Sequence, residues 1–168
     1  MGRLVDMENI MKDTIMCKDV YVDGSFRDGI ISGAIIFVDV DERLNKEFYF
    51  SIKNEELSKH RNVSGELLAA MYAVYYAARN SISCIIIHHD YEGIAKWASG
   101  EWKTNTHITK LYQRFLLENQ VVNCKFVKVD AHSGDKYNDR ADKLARFALE
   151  NGKSNIDIEE FLNHLSAL

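Results

Sequence analysis

The stretch Ser83–Asp90, SCIIIHHD, constrains the fold more than any other part of the chain. Its β-branched run is too short for a helix and too continuously apolar for a strand with one wet face. It reads as a central strand, covered on both faces by other elements. The run ends in two histidines and an aspartate. Either the strand simply surfaces there, or its end is a site. Side chains alternate along a strand, so His88 and Asp90 point to one side and His89 to the other. A lone His-x-Asp pair is a poor zinc site without a further His or Cys at ligand spacing, so both histidines read as structural or merely polar.

A central strand needs neighbours, and the flanking sequence supplies them. VYVDGSF (20–26), IISGAIIFVDV (30–40) and KEFYFSI (46–52) are strand patterns joined by the short turns RDG and DERLN, an antiparallel meander. Residues 53–62 are a charged loop. SGELLAAMYAVYYAAR (64–79) is the clearest helix, with Leu67, Ala70, Met71, Val74, Tyr75 and Ala78 on one face. After the central strand come a short helix (91–99), a helix (106–119), a fifth strand (121–129), a helix (135–150) with Asp135 as its N-cap, and a short amphipathic helix (156–165). A meander followed by crossovers gives an α/β fold, a mixed sheet flanked by helices. Residues 1–19 read as a loose arm, 20–150 as the main domain, and 151–168 as a helical extension packing on it.

With 168 residues the chain suits one domain, and 46% hydrophobic with 27% charged residues fits a soluble protein. No stretch approaches the ~18 apolar residues of a membrane span. Nothing marks the first dozen residues for export, and a cytoplasmic monomer is expected. Cys17, Cys84 and Cys124 lack metal-type spacing and read as reduced thiols. The net charge of −4 argues weakly against nucleic-acid binding, although it says nothing of how charge is distributed.

Four carboxylates fall where such a fold would gather them. Asp23 is late in the first strand, Asp90 ends the fourth, Glu66 lies in the first turn of the long helix, and Asp142 lies in the helix after the fifth strand. Open α/β sheets place their chemistry at the carboxyl ends of strands. Four converging acids raise one another's pKa and cost stability, so they call for a divalent cation. Oxygen-only ligation selects Mg²⁺ or Mn²⁺ rather than zinc. Taken singly, each has a plainer reading. An Asp after a strand is commonly a turn residue, an acid in a first helical turn suits the dipole, and Asp139 with Asp142 reads equally as a solvated face.

YVDGSF, GELLAA and HSGDKYNDRADKLA together resemble ribonuclease H, type 1, and do so in order from Val20 to about Ala148. DYEGIAKWASGEWKTN (90–105) is similar to a bacterial subgroup, some members of which carry an N-terminal hybrid-binding module; this chain is expected to be without it. The resemblance implies a ribonuclease H-like five-stranded sheet, a meander plus two parallel strands. It implies an endonuclease that hydrolyses the RNA strand of RNA/DNA hybrids with two Mg²⁺ ions, Mn²⁺ substituting, and leaves 5′-phosphate and 3′-hydroxyl ends. Asp23, Glu66, Asp90 and Asp142 are then the metal ligands, and His132 assists proton transfer or product release. Asp139 takes the place of a family glutamate that is not usually a primary ligand. Asn62 takes the place of an asparagine that contacts the hybrid in its minor groove. Arg61 stands beside it where the family usually has threonine.

A hybrid-cutting enzyme must sense 2′-hydroxyls on one strand only. Gly24, Ser25, Arg61 and Asn62 are candidates for the RNA strand. Trp97, Trp102, Lys103, Thr104 and Asn105 are candidates for a DNA-strand groove, by stacking and phosphate contact; for Trp97, packing beside Ile94 is an equal alternative. Two other functions compete. An exonuclease or strand-transfer relative with a similar carboxylate set would lack the HSG…NDRAD ending. A non-catalytic nucleic-acid-binding relative would have lost a carboxylate.

Overall fold

The computed structural model describes residues 17–130 and 133–168. Five strands form one sheet: β1 (Lys18–Arg27), β2 (Ile30–Val38), β3 (Lys46–Lys53), β4 (Cys84–His89) and β5 (Asn123–Lys128). Six α-helices surround it: α1 (Glu55–Ser58), α2 (Asn62–Arg79), α3 (Gly93–Ser99), α4 (His107–Glu118), α5 (Lys136–Asn151) and α6 (Ile158–Ser166). The strand order is β3-β2-β1-β4-β5. β1 pairs antiparallel with β2, and β2 with β3, while β1–β4 and β4–β5 are parallel. This is the mixed sheet expected from the patterns, with the apolar strand β4 inside it.

The first hairpin shows how local chemistry sets register. Asp28 and Gly29 both have positive φ, 51° and 78°, the backbone of a two-residue turn whose twist suits antiparallel strands. Arg27 therefore sits opposite Ile30, and Asp23 opposite Ala34. The helices start from side-chain caps where the sequence offers them. Asp135 accepts from the amides of Tyr137 and Asn138, and Thr106 and Thr109 form a reciprocal capping pair.

Several boundaries differ from the expected ones. Residues 1–16 of the expected arm lie outside the described residues, and Lys18 and Asp19 already belong to β1. The charged loop contains the one-turn helix α1, capped by Asn54. The long helix begins at Asn62, so Glu66 lies beyond its first turn. The face of α2 is also wider than one stripe. Leu68, Ala69, Ala73 and Ala77 are buried as well, while Ala78 is exposed. The sheet covers one side of this helix and α4 and α6 cover more of it, so its small residues pack in several directions.

The larger core lies between the sheet, α2, α4 and α6, and includes Val20, Val22, Ile85, Ile87, Leu67, Phe115 and Phe161. A smaller one, Ala34, Ile36, Ala141, Leu144 and Ala145, holds α5 to the opposite face. Residues 154–168 belong to the same body. Ser154 and Asn155 bond the backbone of Ser51 and Tyr49 on the outer edge of β3, and Phe161 packs among Tyr72, Tyr75 and Phe115. An edge strand that would otherwise offer free amides is thereby covered.

One expectation is overturned. Cys17 and Cys84 are joined in a disulfide, with Cα atoms 4.5 Å apart, and only Cys124 is a free thiol among the described residues. The reason is register. The parallel ladder pairs Lys18 with Ile85, so the preceding residues on the two strands are also neighbours. Their separation of 67 residues hides that proximity in the sequence.

Candidate active site

The β1–β4 ladder ends at Tyr21 and His88, and two residues further along each chain stand Asp23 and Asp90. Asp23 is 6% exposed and Glu66, reaching up from α2, only 1%. The Gly24 amide donates to Asp23 Oδ1 at 2.9 Å, and the Asp90 amide donates to Glu66 Oε1 at 3.1 Å. One carboxylate oxygen from each of Asp23, Glu66 and Asp90 lies within 4.8 Å of the others. Asp142 on α5 lines the same small cavity, of about 190 Å³, together with Asp23, Gly24, Asn62, Asp90, Asn138, Asp139 and Arg146.

Glycine makes this convergence possible. A Cβ on Gly24 would stand 2.3 Å from the Asn62 carbonyl oxygen and 2.5 Å from the Glu66 amide, both backbone atoms. A Cβ on Gly65 would stand 2.1 Å from the Ser32 carbonyl oxygen. The start of α2 thus rests directly on β1 and β2, which brings Glu66 to Asp23.

The electrostatics are those of a cluster that wants a cation. Asp23 is pushed up to about 8, first by burial and then by the charge of Asp90, with Asp142 adding to it and the Gly24 amide opposing. Glu66 is raised well above the usual carboxylate range by burial, then by Asp90 and Asp23. Because Glu66 is not in the first helical turn, the helix dipole does not account for its position. Buried, mutually repelling carboxylates with oxygen as the only donor atom fit a hard divalent cation. Asp142 acts on Asp23 and pairs with Arg146 at 3.0 Å. Asp139 lines the cavity without being among the groups that shift Asp23.

The other expected residues fall in three places. Asn62 opens onto the carboxylate cavity, beside Gly24, with Ser25 next along β1. Arg61 is exposed, has φ 52°, and precedes α2 without a side-chain cap bond. Trp97 and Trp102 make an edge-to-face pair with centroids 5.6 Å apart, and both touch Tyr91. Lys103 and Asn105 beyond them are exposed, and Thr104 is half-buried. His132 lies outside the described residues.

The two histidines at the end of β4 have different partners. His88 Nε2 is 2.8 Å from Asp19 Oδ1 and its ring stacks on Tyr21, 4.2 Å between centroids. His89 is buried, with Nδ1 2.9 Å from the Tyr91 carbonyl oxygen. Two residues of the cavity were missed by sequence reasoning. Arg146 was findable, four positions after Asp142 on the same helix. Asn138 was signalled only as the asparagine of NDRAD, with no role of its own assigned to it.

The sequence model of the RNase H family matches residues 17–150. Ribonuclease H of Prosthecochloris aestuarii is 36% identical over 64 residues, 36% of this chain and 44% of that protein. Ribonuclease H of Chlorobium phaeobacteroides is 33% identical over a stretch of the same coverage, so the match spans less than half of either relative. Among solved structures, RNase H1 from the halophilic archaeon Halobacterium salinarum has a TM-score of 0.66 at 22% identity, covering 80% of this chain and 98% of that one. LC11-RNase H1 in complex with an RNA/DNA hybrid has a TM-score of 0.63 at 18% identity, covering 80% and 98%. The sheet order, the carboxylates gathered where the β1–β4 ladder ends and a family match across four-fifths of the sequence lead to one assignment: the chain belongs to the ribonuclease H family.

Proposed function

We propose that this protein is a type 1 ribonuclease H, an endonuclease that hydrolyses the RNA strand of RNA/DNA hybrids and leaves 5′-phosphate and 3′-hydroxyl ends. The observation that carries the reading is the meeting of Asp23, Glu66 and Asp90, two of them buried, just beyond the carboxyl end of the β1–β4 ladder. These three, with Asp142 at the rim, are the residues that would hold two Mg²⁺ ions, with Mn²⁺ as a substitute. Such ions supply a Lewis acid for the scissile phosphate and a water acidic enough to attack it.

The chain's own residues do the rest. The Gly24 amide holds Asp23 and the Asp90 amide holds Glu66, so both carboxylates are oriented before any ligand arrives. Asn62 and the backbone of Gly24 and Ser25 face the RNA strand, with Arg61 beside them. Trp97 and Trp102 offer ring faces to the DNA strand, and Lys103, Thr104 and Asn105 its phosphate contacts. His132 assists proton transfer or release of product. The protein works as a cytoplasmic monomer, its catalytic unit running from about residue 20 to 150 with 151–168 packed on it.

The test is cleavage of an RNA/DNA hybrid beside RNA/RNA and DNA/DNA duplexes, with Mg²⁺, with Mn²⁺ and with chelator. Internal cuts confined to the RNA of the hybrid and abolished by chelator are expected. Cutting from ends only, or cation-independent cutting, would overturn the reading.

A further inference from the structure

The end of the β1–β4 pair opposite the carboxylates carries a second chemical feature. Cys17 and Cys84 close the parallel ladder there as a disulfide. The two cysteines are unequally placed. Cys84 is 5% exposed, whereas Cys17 is half-buried and lines a cavity of about 480 Å³ to which Cys84 does not contribute. Lys18, Asp19, Val38, Asp39 and Ser81 share that cavity among the described residues. It is large enough to admit a small thiol. From this asymmetry we propose that Cys17–Cys84 is a reversible thiol–disulfide exchange site, addressed by small thiols and dithiols through that cavity and attacked at Cys17.

The exchange is balanced by a dithiol as follows. A thiolate of the dithiol attacks Cys17 Sγ; the Cys17–Cys84 bond breaks, and Cys84 leaves with the electron pair and takes up a proton. The dithiol's second sulfur, as thiolate, then attacks its own bridging sulfur and expels Cys17, which is protonated in turn. The protein gains two thiols and the dithiol becomes a cyclic disulfide. The reverse, with an oxidised small-molecule disulfide, reforms the bond and releases two small thiols.

Cys124 does not compete. It stands beside Ile85 in the β4–β5 register, one residue out of step with Cys84 and therefore facing the opposite side of the sheet. Burial also pushes its thiol up to about 12, which leaves almost no thiolate to exchange. The site joins the strand that carries Asp23 to the strand that leads into Asp90, so its redox state sets how firmly that pair is tied. This inference does not depend on the proposed activity.

The full chain, equilibrated with oxidised glutathione, is denatured, alkylated and weighed; one alkylated cysteine is expected, and it should map to Cys124. The folded protein is next treated with dithiothreitol and alkylated on quenching. All three cysteines should then be labelled, faster than the protein unfolds globally. With reduced glutathione as a trapping monothiol, the mixed disulfide on the unsubstituted chain should map to Cys17, and Cys84→Ser treated with oxidised glutathione should accumulate the same Cys17 adduct with release of one reduced glutathione. Reduction should lower the melting temperature by roughly 10 °C, the loss expected for opening a loop of this length in a domain of this size. Three alkylated cysteines at the outset, reduction only at the rate of global unfolding, or an adduct on Cys84 would each overturn the proposal. The mapping on the unsubstituted chain decides the matter even if Cys84→Ser does not fold.

Discussion

Asp23 and Glu66 hold protons in the metal-free protein that an unfolded chain would release, because burial and the neighbouring acids raise both. An ordinary aspartate titrates near ~3.9, and Asp23 is shifted to about 8. Its protonated form therefore contributes stability that is complete below the unfolded value and lost as pH rises through the folded one. His89, lowered by burial, acts in the opposite sense only below its ordinary value of ~6.5, and the depressed surface acids Glu42 and Glu47 act lower still. In chelator, the melting temperature should accordingly fall between about pH 6.5 and 8. Asp23→Asn should flatten that fall and Mg²⁺ should oppose it, since a cation selects the ionised cluster. A melting temperature that rises across this window, or is unmoved by Asp23→Asn, would mean that the cluster is not strained by its own charge. Asp90→Asn makes the companion case. It removes the leading charge acting on both buried acids, so metal-free stability should rise while hybrid cleavage falls by on the order of 10²–10³-fold or more. Native-rate cleavage by that variant would remove Asp90 from the site. The convergence of Asp23, Glu66 and Asp90 was legible because Asp90 ends an apolar strand, Asp23 lies on its parallel neighbour and Glu66 on a helix that must cross the sheet, although β1 runs on past Asp23 to Arg27. The disulfide was not, since only the register of two strands far apart in sequence brings Cys17 to Cys84.

At the level of elements, the site depends on how closely α2 lies on β1. Gly24→Ala should cost about 3 kcal/mol or more in urea unfolding, because the added methyl meets backbone atoms rather than a side chain that can swing aside. Hybrid cleavage should fall with it as Glu66 is pushed from Asp23; full activity with unchanged stability would show that the contact is looser than described. The segment after α5 makes a second test. Phe161 is 2% exposed and inserts among rings of α2 and α4. Phe161→Ala should cost about 3–5 kcal/mol and leave a single cooperative transition. A separate low-stability transition assigned to residues 151–168 would make that segment an independent appendage. Most elements could be read from pattern alone. Alternation marked β1 and β3, the β-branched run marked β4, and Asp-Gly chemistry marked the first hairpin. The start of α2 escaped by two residues, Asn62 and Val63, because they lack the apolar periodicity of the rest. Its buried face was underestimated because small residues pack on several sides without declaring it.

For the molecule as a whole, the question is how a chain of net charge −4 grips a polyanion. Several of its cations are already committed. Lys96 is 2.9 Å from Glu101 and 3.8 Å from Glu92, and Arg146 is bound to Asp142. Lys59, Arg61 and Lys103 form no ion pair among the described residues; the first two lie just before the start of α2 and the third follows the tryptophan pair. Binding that draws on these three cations releases few counterions. Each phosphate neutralised contributes a slope of about −0.9 to log K against log salt on duplex DNA. The hybrid should therefore bind with a slope no steeper than roughly −4, measured in Ca²⁺ or with a cleavage-resistant hybrid so that binding is separated from hydrolysis. Arg61→Ala and Lys103→Ala should each reduce the slope by about 1 and weaken binding at low salt more than at high salt. Lys96→Ala should change it much less, because its ammonium already faces two carboxylates. Equal effects from all three substitutions would mean that binding follows total charge rather than the free cations beside the tryptophans, and the groove drawn through Trp97 and Trp102 would then have to be moved.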